Sequence, residues 1–164
     1  MSCNQKSLYW LIISGWIIVL DQVTKKLAEQ YLEPQRYIQL LPSLDLTLVY
    51  NAGAAFGFLN DAGGWQRYFL IALTLFVLMV LINWLCKIDF KQKILGIGLG
   101  LTIGGAIGNM LDRIFIGEVV DFISLYYAAW RWPAFNIADT AISIGVVLLF
   151  IDMIFFDFTK NPDP

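Results

Sequence analysis

The chain contains no histidine among its 164 residues. That absence removes Ser-His and Cys-His nucleophilic sites, and with them the usual zinc centres built on imidazole ligands. Only two cysteines occur: Cys3 near the N-terminus and Cys86 closing an apolar run, without CxxC spacing. Neither a redox pair nor a disulfide framework is expected. Charge is also scarce, at 15% of residues, with a net of −2 and no basic tract, so nucleic-acid binding finds no support. Any catalyst built from this chain must draw on Asp, Glu, Ser, Thr, Lys or Tyr, and neither metal nor cofactor is expected.

Apolar surface is what abounds. Hydrophobic residues make up 59% of the chain, against roughly half in soluble domains, so the sequence reads as an all-α membrane protein. Its length suits one helical bundle over 1–164, with no separate soluble domain expected. A spanning helix needs about 20 apolar residues, and the runs predict four spans, at 8–27, 68–86, 94–116 and 137–158. The first must continue past Leu20 through Asp21 and Lys25, which share a helix face and can pair at the membrane boundary. The third carries Gly96, Gly100, Gly104 and Gly108, a smooth stripe for a neighbouring helix. It ends in Asn109, Asp112 and Arg113, polar groups that are costly at a boundary and therefore point to function.

Between the first two spans, Tyr37–Leu40, Leu44–Tyr50 and Ala54–Leu59 have the composition of short strands, broken at Pro34, Pro42-Ser43 and Asn51-Ala52-Gly53. They predict a small sheet on the membrane surface, in this first outer loop. Asn51, followed by Gly53 and other small residues, suits close approach of a substrate backbone, although an ordinary turn reads the same way. The short loop 87–93 holds Lys87, Lys91 and Lys93 against Asp89 alone, which puts it in the cytoplasm.

Two acids then stand in strongly apolar settings: Asp121 within Val-Val-Asp-Phe-Ile, and Asp139 within Phe-Asn-Ile-Ala-Asp. Desolvation raises a carboxyl pKa, and a second carboxylate nearby makes one of the pair hold a proton. Such a pair can act as base and acid around a water, which is aspartic-protease chemistry. The plainer alternative is a helix cap at Asp139 and a strand or loop end at Asp121. Parity helps to choose. Four spans put both termini on one side, and Asp21, Lys25, Asn51, Asn109 to Arg113, Asp121, Asn136 and Asp139 all sort to the other. A small transporter or proton-coupled carrier would spread polar residues through the spans, whose middles are almost purely apolar here. A subunit that merely packs through its glycine stripe would leave the clustered acids unexplained.

The motifs Asp21-Gln22-Val23-Thr24-Lys25, Asn51-Ala52-Gly53-Ala54-Ala55-Phe56, Gly104 to Asn109 with Asp112-Arg113, Val119-Val120-Asp121-Phe122 and Phe135-Asn136-Ile137-Ala138-Asp139 stand in this order along nearly the whole chain. Together they resemble the bacterial lipoprotein signal peptidases (type II signal peptidases). The resemblance implies a four-helix aspartyl endopeptidase of the inner membrane, both termini cytoplasmic, with a periplasmic site beside a small β-sheet cradle. It implies diacylglyceryl-prolipoprotein substrates cut before the lipidated lipobox cysteine, membrane lipids as surroundings and a monomeric enzyme. The catalytic aspartates then correspond to Asp121 and Asp139. Asn51, Gly53, Asn109, Arg113 and Asn136 would bind substrate, with Asp21, Lys25 and Asp112 in support. Which aspartate is base and which acid stays open.

Overall fold

The fold is described from a computed structural model covering residues 5–53 and 63–155; the strand expected at 54–59 lies outside the described residues. Four long helices dominate. A 3-10 turn, Gln5–Trp10, runs into α1 (Leu11–Tyr31), followed by α2 (Trp65–Lys87), α3 (Lys93–Phe115) and α4 (Ile137–Phe155). All four are long and apolar enough to cross a membrane. A helix is the natural solution for such runs, because each satisfies its backbone polar groups internally where no water can. Their outer faces keep large apolar side chains exposed, among them Trp16, Phe76, Met79 and Phe150, as a lipid-facing surface would.

The most buried of the four helices is α3, and its glycines explain why. Along one side, a Cβ at Gly100 would lie 2.7 Å from the Trp10 carbonyl oxygen, and one at Gly104 would lie 2.8 Å from Ser14 Cα. Gly98 and Gly105 do the same for α4, where an added Cβ would meet the backbones of Gly145 and Ala138. Helices α1 and α4 therefore lie against α3 at backbone distance, a contact only small residues permit. Ser14 Oγ donates across one of these seams to the Gly100 carbonyl at 2.7 Å.

Against the expectation from cysteine spacing, Cys86 is disulfide-bonded. Spacing registers only local pairs. The bundle returns the end of α2 to the level of the 3-10 turn, where Ser7 Oγ donates to the Ile88 carbonyl at 2.7 Å.

Among the described residues, four antiparallel strands form one sheet in the order β1 (Ile38–Leu41), β2 (Leu44–Asn51), β3 (Val119–Tyr127) and β4 (Trp130–Arg131). The expectation of a sheet confined to the first outer loop is thus corrected: β1 and β2 precede α2, whereas β3 and β4 follow α3. Leu48, Val120 and Phe122 bury one face of the sheet against Ala28 of α1. The register that matters pairs Val49 with Asp121 and Asn51 with Val119. It lays the end of β2 beside the acid on β3.

Candidate active site

The start of α4 organises the polar cluster. Asn136 precedes the helix, and its Oδ1 accepts the Asp139 N–H at 2.9 Å, while Asp139 Oδ2 accepts the Asn136 N–H at 3.2 Å. This is a reciprocal capping arrangement, and it satisfies two donors the helix start would otherwise leave open. The plainer reading of Asp139 as a helix cap holds, and the same side chain also lines a cavity. Asn136 is fully buried and uses its amide nitrogen as well, donating to Asp121 Oδ1 at 2.7 Å. One residue thus holds both carboxylates, that of Asp121 through its amide nitrogen and that of Asp139 through its backbone N–H.

Asn109, one face of α3 away, fixes Asp139 from the other side. Its Nδ2 donates to Asp139 Oδ1 at 2.7 Å, and its Oδ1 accepts from Lys25 Nζ at 2.9 Å and from Asn136 Nδ2 at 3.1 Å. Two donors on the oxygen leave the amide only one orientation, NH2 toward the acid. On the sheet side, Asn51 Nδ2 donates to Asp121 Oδ2 at 3.2 Å, and Asn51 Oδ1 accepts the Gly53 N–H at 3.0 Å. The turn expected at Asn51 is present and also presents the amide to the acid.

Beneath these groups lies a buried ion cluster. Lys25 Nζ stands 2.7 Å from Asp21 Oδ2 and 2.8 Å from Asp112 Oδ2, so with Asn109 all three of its N–H bonds are engaged. The other Asp21 oxygen accepts the Ala138 N–H at 2.9 Å, tying α1 to the first turn of α4. Asp112 also accepts from Gln22 Nε2 at 2.8 Å and from the Val120 N–H at 3.2 Å. An Asp112–Arg113 pair, the simple structural reading of that dipeptide, does not form. Arg113 turns away, donating from Nη2 to the Gly53 carbonyl at 2.9 Å and from Nη1 to the Asn109 carbonyl at 3.3 Å. Its buried Nε has no hydrogen-bond partner among the described residues.

All ten residues singled out by sequence meet in this network. Gln22, which the first motif contains without a role of its own, and Arg67, which no motif contains, also belong to it. Gln22 lies beside Asp21 in sequence, a weak local signal, but nothing in the sequence relates Arg67 to the end of α3.

Burial, reinforced by the nearby charge of Asp139, pushes the Asp121 carboxyl from 3.8 up to about 7; hydrogen bonds from Asn51 and Asn136 and the charge of Lys25 pull the other way. Both acids open onto a cavity of about 700 Å³ that Asn109 and Arg113 also line, and that runs between α2, α3 and α4 past Leu70, Val77 and Ile144. Thr102 lines it too, seven residues before Asn109 on α3, which is about 10 Å along the helix. The threonines in its wall do not make it polar. Thr74, Thr102 and Thr140 each donate to the backbone carbonyl four residues earlier, at 2.7, 2.8 and 3.0 Å. An acid pair at the head of an apolar slot can hydrolyse a bond whose flanking segment is apolar.

The family model described as signal peptidase (SPase) II matches residues 13–155. A lipoprotein signal peptidase of Acinetobacter baumannii is 48% identical over 151 residues, which is 92% of this chain and 86% of that protein. One of Pseudoalteromonas atlantica is 46% identical over 160 residues, or 98% and 94% of the two chains. Among solved structures, a bacterial membrane enzyme determined by the in meso method at 2.3 Å superposes with a TM-score of 0.85 at 28% identity, covering 100% of this chain and 98% of its own. A second, at 1.9 Å, gives 0.80 at 30% identity, over 96% and 99%.

Proposed function

The chain belongs to the signal peptidase II family, and from that premise we propose that it is an aspartic endopeptidase of the bacterial inner membrane. It removes signal peptides from diacylglyceryl-modified prolipoproteins, cutting just before the lipidated cysteine. The observation that carries this reading is that Asn136 donates to both carboxylates, from its amide nitrogen to Asp121 and from its backbone N–H to Asp139, at the head of an apolar cavity. A lipid-anchored substrate moves within the bilayer and presents its scissile bond near the surface, so a cavity that enters the apolar layer from the acids suits its signal segment.

In this mechanism Asp121 holds the shared proton, in keeping with a carboxyl pushed up to about 7. Asp139 accepts from Asn109 Nδ2 and the Asn136 N–H, contacts that hold its oxygens beside the cavity where the water must sit. Asp139 takes a proton from the attacking water while Asp121 gives its own to the scissile carbonyl oxygen. When the tetrahedral intermediate collapses, the proton on Asp139 passes to the leaving nitrogen and Asp121 recovers the other. Arg113, with its buried Nε–H unpartnered beside the cavity, donates to a substrate carbonyl or lipid ester. Asn51 and Gly53 align the extended substrate at the end of β2. The lysines at 87, 91 and 93 support a cytoplasmic α2–α3 loop, hence cytoplasmic termini and a periplasmic site on a monomeric enzyme.

The decisive test is cleavage of a diacylated lipobox peptide by purified wild type, Asp121→Asn and Asp139→Asn. Each substitution should abolish turnover, and the double variant should be no worse than either alone. Near-normal activity in either single variant would remove that residue from the catalytic pair.

A further inference from the structure

The last turn of α3 carries Arg113, and its backbone closes only in part. Ile116 N and Gly117 N both donate to the Asp112 carbonyl, at 2.7 and 3.0 Å. The carbonyls of Arg113 and Ile114 are left outside the helix ladder, as the final carbonyls of a helix are. Both are taken by a residue of another helix. Arg67 donates from Nε to the Arg113 carbonyl at 2.7 Å and from Nη2 to the Ile114 carbonyl at 2.8 Å.

Two local features make this fork possible. Gly117 has φ +98, and a Cβ there would stand 3.3 Å from Arg67 Nη1, so glycine both turns the chain and leaves room for the guanidinium. On the other side, the Gly64 N–H donates to Gln66 Oε1 at 2.7 Å, with Gln66 buried, which fixes the start of α2 and places Arg67 in its first turn. A planar cation over two consecutive carbonyls at a helix C-terminus is also favoured by the helix dipole. Arg113 is therefore gripped through its backbone by Arg67 while its side chain grips Gly53 at the end of β2.

We propose that Arg67 is a positioning residue: it clamps the C-terminal turn of α3 and so holds the Arg113 guanidinium where substrate is bound. Arg67 does not itself line the cavity. The inference rests on the reading of Arg113 as a substrate contact, and its test keeps the two apart. Purified enzyme is assayed with the diacylated lipobox peptide for Arg67→Ala, Arg67→Lys, Arg113→Lys and the double variant Arg67→Ala/Arg113→Lys. In parallel, the Arg113 Nε–H resonance of the detergent-solubilised protein, assigned by its loss in Arg113→Lys, is followed by solvent exchange.

Arg67→Ala should lower kcat/KM on the order of tenfold, chiefly through KM, because the contact is displaced rather than removed. Arg67→Lys should recover most of the loss, since an ammonium can still donate to the exposed carbonyls. In the Arg113→Lys background, Arg67→Ala should change kcat/KM by less than about twofold, as expected for residues acting through one another. Arg113 Nε–H exchange should accelerate in Arg67→Ala and return toward normal in Arg67→Lys. Normal kinetics with unchanged exchange in Arg67→Ala would overturn the proposal. So would equal losses in both Arg113 backgrounds, which would mark a general structural role. Full activity in Arg113→Lys with faster exchange in Arg67→Ala would keep the clamp and strike out only the substrate role of Arg113.

Discussion

Asp121→Asn separates what this carboxyl does for catalysis from what it does to the fold. Asp121 is 2% exposed on β3, and its carboxyl is held at about 7 rather than 3.8. The folded protein keeps this proton over a range where the unfolded chain has released it. Stability therefore declines as pH rises from about 4 to about 7 and is level beyond. Across that window the loss is on the order of 4 kcal/mol, from burial first and the neighbouring Asp139 second. An asparagine has no charge to bury. It does set an NH2 against one of two donors, Asn136 Nδ2 at 2.7 Å or Asn51 Nδ2 at 3.2 Å. The longer contact should yield, at a cost of about 1–2 kcal/mol.

The inactive variant should then be more stable than its parent by roughly 2 kcal/mol at alkaline pH. The advantage should shrink, and vanish or reverse, as the parent's carboxyl becomes protonated in both states near pH of about 4. Unfolding in detergent micelles, followed by tryptophan fluorescence across acidic, neutral and alkaline buffers, measures both arms. A difference that does not change with pH, or a variant less stable than its parent at alkaline pH, would show that Asp121 ionises in the fold without cost. The shared-proton reading would lose its physical basis with it.

The proposed role of the same carboxyl also predicts an alkaline limb of activity. With Asp121 as the proposed holder of the proton, kcat/KM should fall as pH rises past about 7, and a flat profile through that region would assign the acid elsewhere. Arg113→Ala and Asn51→Ala should fold with unfolding midpoints near the parent's yet lose on the order of ten- to a hundredfold in kcat/KM; losses of stability as large as the losses of activity would make them structural. Gly105→Ala drives a methyl into the Ala138 carbonyl at the start of α4, so it should destabilise by about 1–3 kcal/mol and reduce cleavage. Gly15→Ala, which meets nothing within 4 Å, serves as the control and should be neutral or mildly stabilising in the same unfolding assay.

Much of this protein could be reasoned from one dimension. Apolar runs of spanning length announce helices because backbone groups in hydrocarbon have no other way to be satisfied, and four helices observed as long and apolar enough to cross a membrane bear that out. The four-residue glycine period announced a packing face, and α1 lies on it. Parity grouped Asp21, Asn51, Asn109, Asp121 and Asp139, because the number of spans alone decides which connections share a side. Only the tertiary structure decided how they touch. Asn51 meets Asp121 across 70 residues because β2 pairs with β3, and that pairing depends on where α3 delivers its C-terminus. Asp112 joins Lys25 rather than its neighbour Arg113, since adjacent residues on a helix point in different directions. The pairing of Cys86 and the reach of Arg67 to the end of α3 likewise belong to the packed bundle. Local pattern carries the solvent each segment prefers, whereas side-chain partners at long range follow from close packing, which no window of sequence contains.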